Sequence, residues 1–102
     1  MGSERTVSRV YTALPCKLGK RDSAAVQAAL EELTREVGGY TTWTAQGGWF
    51  DGQEVHTEIS RVVEVVHEGD DKGHGAVYRF ALEMKRALKQ QAVLVVHQKG
   101  WV

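Results

Sequence analysis

A chain of 102 residues, 42% of them hydrophobic, is the size of one domain and can close a single apolar core without disulfide or metal staples. Thirteen Lys and Arg balance thirteen Asp and Glu, so the whole-molecule field that gathers nucleic acid or anionic lipid is missing. No stretch approaches the roughly 18 to 20 uninterrupted apolar residues of a membrane span. The N-terminal Met1-Gly2-Ser3-Glu4-Arg5 lacks the apolar run of a secretion signal, and the lone Cys16 cannot form an internal disulfide. One cytoplasmic domain over residues 1–102 is therefore expected.

From Arg5 to Leu14 the residues Val7, Val10, Tyr11, Thr12 and Leu14 favour a strand, which Pro15 ends because it brings no backbone donor. Cys16 to Arg21 reads as a loop, and Asp22 or Ser23 is placed to cap a helix. In that helix Val26, Leu30, Leu33 and Val37 recur at three- and four-residue spacing with Ala29 on the same stripe, and Gly38-Gly39 stops it. Tyr40 to Gln46 alternates as a second strand. Gly47-Gly48-Trp49-Phe50-Asp51-Gly52 is expected to be a turn region with an aromatic tip.

The third strand, Glu54 to His67, is long. Its far half, Val62-Val63-Glu64-Val65-Val66, reads as buried on nearly both sides and its near half as an exposed arm. Glu68 to Gly75 is polar and reads as a connection. Val77, Phe80, Ala81, Met84 and Leu88 then form a second helical stripe. Ala92 to Val96 is a short apolar strand, and Gln98 to Val102 a tail.

The order strand, helix, strand, strand, helix, strand predicts an α+β, ferredoxin-like βαββαβ fold. It is a four-stranded antiparallel sheet with two helices on one face and strand order four, one, three, two. A single helical layer leaves the other face uncovered, and such a face pairs with another copy, binds a ligand or binds nucleic acid. Self-association as a homodimer is the first expectation.

Several short motifs occur in sequence along this frame. They are Gly39-Tyr40-Thr41-Thr42, Gly47-Gly48-Trp49, Glu58 with Ser60 before the valine-rich strand, and Gln91-Ala92-Val93-Leu94-Val95 near the end. In this the chain resembles a family of small uncharacterised bacterial and phage-associated proteins. They share a Gly-x-Thr strand, a Gly-x-Trp hairpin, a Glu-x-Ser step and a Gln-x-x-Val terminal strand. The resemblance spans the first to the fourth strand and implies no particular activity. The aromatic residue that such relatives often carry in the first helix is replaced here by Ala24 and Ala25.

The candidate binding residues gather around the second hairpin: Trp43, Trp49, Phe50, His56, Glu58 and Ser60, with Gln91 of the last strand. His56, Glu58 and Ser60 share one parity of their strand, so an acid or base stands beside a hydroxyl. The structural alternative is that Glu58 and Ser60 satisfy cross-strand hydrogen bonds near Gln91. Trp49 and Phe50 suit a recognition contact, since aromatics dominate interface hot spots.

The four histidines, His56, His67, His74 and His97, show no spacing of a compact ligand set, so neither a metal nor a cofactor is expected. No histidine adjoins Cys16 in sequence to support a nucleophilic thiol. The glycine steps lack a phosphate-loop Lys or a dinucleotide fingerprint. The third strand lacks the basic-aromatic pattern of an RNA-binding sheet, and nucleic acid and membrane are not expected partners.

The residues favour a non-enzymatic protein that self-associates and binds another macromolecule, a protein being the expected partner. The alternative is a small cofactor-free enzyme or ligand-binding protein, with Trp43, His56, Glu58 and Ser60 lining a pocket between two facing sheets.

Overall fold

A computed structural model describes residues 4–13, 19–90 and 93–101. In chain order it contains β1 (Glu4–Ala13), α1 (Lys20–Val37), β2 (Thr41–Phe50), β3 (Val55–His67), α2 (Asp71–Ala87) and β4 (Leu94–Trp101). The strands form one antiparallel sheet in the order β2-β3-β1-β4. This is the ferredoxin-like order and sheet expected from the two right-handed strand-helix-strand crossovers.

The core lies between the sheet and the helices. Val10 of β1 and Val63 and Val65 of β3 meet Val26, Leu30 and Leu33 of α1 and Ala76, Val77, Phe80, Ala81 and Met84 of α2. These are the two helical stripes legible in the sequence. Since side chains alternate along a strand, Val10, Val63 and Val65 fix the helix-covered face of the sheet, and their neighbours point to the open one. On the open face Arg9 Nε donates to Glu64 Oε2 at 2.8 Å, and Arg9 Nη1 donates to Gln98 Oε1 at 2.9 Å. Val62 also faces this side, yet it is buried, because Trp43 and Tyr11 stand opposite it on the two flanking strands.

Four boundaries differ from the sequence reading. Gly47-Gly48-Trp49-Phe50 lies inside β2, paired with Glu58, Thr57, His56 and Val55, so the aromatics sit in the stem of the hairpin. The turn is Asp51-Gly52-Gln53-Glu54. Here Gly52 supplies φ +101°, and Asp51 Oδ1 accepts the amides of Gln53 and Glu54 at 2.8 Å each. Helix α2 begins at Asp71 rather than after Gly75, because the Asp70 carboxylate accepts the Gly73 amide at 2.8 Å and caps the first turn.

Gln98 to Trp101 is strand, not tail, and pairs with Val7 to Glu4. Helix α1 starts at Lys20, ahead of the expected caps Asp22 and Ser23. Its N-cap is Gly19, which has no side chain to cap with; its carbonyl accepts the Ser23 amide at 2.9 Å, and the buried stripe begins a turn later at Val26. Pro15, Cys16, Gln91 and Ala92 lie outside the described residues.

Leu30 is almost wholly buried between α1, α2 and the sheet. Leu30→Ala is expected to cost about 2–5 kcal/mol, read as a lower urea midpoint with an unchanged slope.

Candidate functional site

Among the described residues, β1 pairs with β3 as far as Ala13 opposite Ser60, whereas β2 and β3 are paired on to Phe50 opposite Val55. Residues 46–50 and 55–59 therefore continue beyond the described part of β1 as a two-stranded arm. It extends the molecule to 49 × 31 × 20 Å along its principal axes. The arm has two different sides. Register puts Trp43, Ala45, Gly47 and Trp49 with His56, Glu58, Ser60 and Val62 on the open face, and Phe50, Val55 and Ile59 on the side continuous with the helix-covered face.

Both sides expose apolar surface: Trp49 and Ile59 are half exposed, Phe50 is 64% exposed and Val55 is 72% exposed. Five of the seven residues singled out from sequence thus share one face. Phe50 is on the other, and Gln91 lies outside the described residues. The Trp49 and His56 rings stack with centroids 4.6 Å apart. His56 Nε2 also lies 2.6 Å from Asp51 Oδ2. The turn amide of Glu54, the His56 ring and the Gln53 amide hold the Asp51 carboxyl below its usual range. Glu58 and Ser60 lie along the same strand toward Val62, so the face is aromatic at the arm's end and polar along its stem.

A second group was not legible in the sequence. Ser8 of β1, His67 at the end of β3, His74 in the first turn of α2 and His97 of β4 converge under the N-terminus of α2. Ser8 is completely buried and His67 nearly so. Ser8 Oγ lies 2.7 Å from His67 Nε2 and 2.6 Å from His97 Nδ1.

The Gly69 amide donates to His67 Nδ1 at 3.1 Å. This bond sets the tautomer of His67, because a nitrogen that accepts cannot also carry the ring proton. His67 is neutral with its proton on Nε2. It donates to Ser8 Oγ, which also shares a hydrogen bond with His97 Nδ1. The His74 ring lies across His97 at a centroid distance of 4.7 Å and meets His67 edge-on at 5.2 Å. Gly73 makes this packing possible: a Cβ there would run into the His67 ring, so the helix can sit over the imidazole only with glycine at that position.

Burial pushes His67 below the ordinary imidazole range, and His74 and then His97 add to the shift while Asp70 opposes it. His97 is lowered by burial and then by His74. Sequence spacing hid the group because His97 joins it only through the pairing of Ser8 with His97 between β1 and β4.

The family model described as "Protein of unknown function (DUF3574)" matches residues 24–102. The chain belongs to that family. No curated protein matches it. Among solved structures it is similar to a phage SAM lyase in complex with S-methyl-5′-thioadenosine. That pair has 14% identity and a TM-score of 0.67, and the match covers 96% of this chain and 88% of the lyase. It is also similar to the periplasmic divalent cation tolerance protein CutA from Archaeoglobus fulgidus, with 5% identity, a TM-score of 0.57 and coverage of 92% and 81%. The B. subtilis GlnK–ATP complex matches with 14% identity, a TM-score of 0.55 and coverage of 95% and 94%. At these identities the likeness is one of fold.

Because His67 and His97 have lowered values in the folded state, the unfolded chain takes up protons that the folded chain refuses. Their contribution is therefore complete above the ordinary imidazole value of 6.5 and is lost as pH falls below it. The melting temperature is expected to drop between about pH 7.5 and 5.5, and the drop should be shallower in His97→Gln.

Proposed function

We propose that the protein acts as a homodimer built through its arm and open sheet face, and that the assembled surface binds a protein partner. The observation that carries this is the arm, a two-stranded ribbon beyond the described part of β1 with Phe50, Val55 and Ile59 exposed on one side and Trp49 on the other. A two-stranded ribbon by itself is marginally stable in water, and exposed apolar residues on both sides of this one suit a covered position.

A second copy is the favoured cover because each chain offers both halves of the contact. Next to the arm, the open face presents Trp43, Tyr11 and the exposed Leu94. Two arms laid reciprocally on two such faces make one closed, isologous interface. A formal net charge of zero puts no long-range repulsion between the copies.

Light scattering coupled to size exclusion tests this. The expected mass is that of a dimer at micromolar concentration, and Phe50→Asp combined with Val55→Asp is expected to halve it while leaving the far-ultraviolet dichroism intact. A monomeric wild type would refute the reading.

A second reading is favoured by the shared face of Trp43, Trp49, His56, Glu58 and Ser60, which gives a stacking surface beside acid, base and hydroxyl groups. With two such sheets facing each other, these side chains would line a pocket for a small ring-bearing ligand. S-methyl-5′-thioadenosine, held by the phage lyase of similar fold, is the probe to use. Saturable quenching of tryptophan fluorescence that is lost in Trp49→Ala supports this reading, and an unchanged spectrum removes that ligand.

A further inference from the structure

The corner where β3 runs into α2 holds a cluster of three like donor groups that self-association does not use. His67, His74 and His97 come from three different elements, and each can offer a ring nitrogen such that the three nitrogens lie within 4.8 Å of one another. His67 forms the floor, buried against Gly73, while His74 and His97 are exposed at the mouth. An ion can therefore approach His74 and His97 from solvent. From these observations we propose that His67, His74 and His97 form a binding site for a divalent late transition-metal ion of the zinc class.

The chemistry of the donor set selects the ion. Three imidazoles without a carboxylate suit Zn²⁺, Ni²⁺ or Cu²⁺, whereas Mg²⁺ and Ca²⁺ require oxygen ligands. Metal binds neutral imidazole, and the burial that disfavours protonation of His67 and His97 keeps them in that form. Three protein nitrogens leave a fourth tetrahedral position for water or another ligand.

Geometry defines what must move. Zinc–nitrogen bonds of about 2.0–2.1 Å place tetrahedral donors about 3.3 Å apart, so the outermost donors close by roughly 1.5 Å. His67 is clamped between Gly73 and Ser8. The adjustment falls to His74, on the exposed first turn of α2, and to His97, on the edge strand β4, where both rings can rotate. The Ser8 hydroxyl, bonded to both His67 and His97, holds these two rings side by side, and an ion bound through either of the bonded nitrogens takes the place of Ser8 as its partner. Ligation through His67 Nε2 moves its proton to Nδ1, which leaves the ring neutral and gives up both the bond to Ser8 and the bond from the Gly69 amide.

The other candidate set, Asp51, Glu54 and His56, is exposed on the arm. Its Asp51 carboxylate already holds two turn amides and His56, so it serves as the control.

Untagged, chelator-stripped protein titrated with Zn²⁺ against a chromophoric competitor tests the site, with Co²⁺ absorption as a second readout of tetrahedral nitrogen coordination. The expected result is one ion per chain. Affinity should be weakened at least about tenfold by His74→Ala or by His97→Ala, each folded by circular dichroism, and be unchanged in His56→Ala. Absence of saturable binding overturns the proposal, as does binding that His56→Ala removes and the other two variants leave intact. The result is independent of the dimer, since Phe50→Asp with Val55→Asp touches none of the three ligands.

Discussion

Both helices, α1 and α2, pack on the same side of the sheet, as two right-handed crossovers require. Two helices cover the middle of one face and nothing more. Hydrophobic burial is accordingly concentrated where Val10, Val63 and Val65 meet Leu30, Val77, Phe80 and Met84. Beyond that area the sheet must stabilise itself through pairing, through the Arg9–Glu64 contact on the open face and through shielding of Val62 by its cross-strand neighbours. The arm lies farthest from this layer, and the histidine group sits at the opposite end of β3 where α2 begins. The two candidate sites occupy the ends of the longest strand because the helices occupy its middle.

The parts of this arrangement that depend on local periodicity could be read from the sequence. The stripes Val26-Leu30-Leu33 and Val77-Phe80-Met84 each repeat within one helix, and the alternation at Trp43, His56, Glu58 and Ser60 belongs to one hairpin. Features that depend on a single hydrogen bond or on distant pairing were not legible. Asp70 lengthens α2 by one carboxylate-to-amide bond, which makes helix out of glycine-bearing residues that otherwise read as a connection. Gly47 and Gly48 resemble turn residues, but the Asp51 carboxylate organises the turn a few residues later, so they pair as strand. Gln98 to Trp101 carries little apolar pattern of its own. It is strand because β1 offers it an unpaired edge, and through that pairing His97 reaches Ser8.

The likeness to a lyase, to a cation tolerance protein and to an ATP-bound regulator illustrates how little this fold restricts chemistry. Four strands and two helices supply a frame, and the side chains at its margins decide what it does. In this chain those margins carry unlike groups. One end is aromatic and apolar with a few polar neighbours, and the other is a line of imidazoles joined by a buried hydroxyl. Neither group draws on the central core, so the chemistry of the ends can vary while the middle is preserved.

The turn at Asp51 to Glu54 has a consequence for the arm that goes beyond closing a hairpin. Trp49 and Phe50 are adjacent in sequence and face opposite ways, as do Val55 and His56. The four-residue turn is what assigns each to its side. One residue added to it would slip the register of a strand whose repeat is two, moving Phe50 to where Trp49 now stacks on His56 and sending the tryptophan across. The arm is thus a two-sided blade whose handedness is stored in the length of a loop. An insertion there exchanges the β2 half of the two surfaces, while His56 and Val55 of β3 keep their sides.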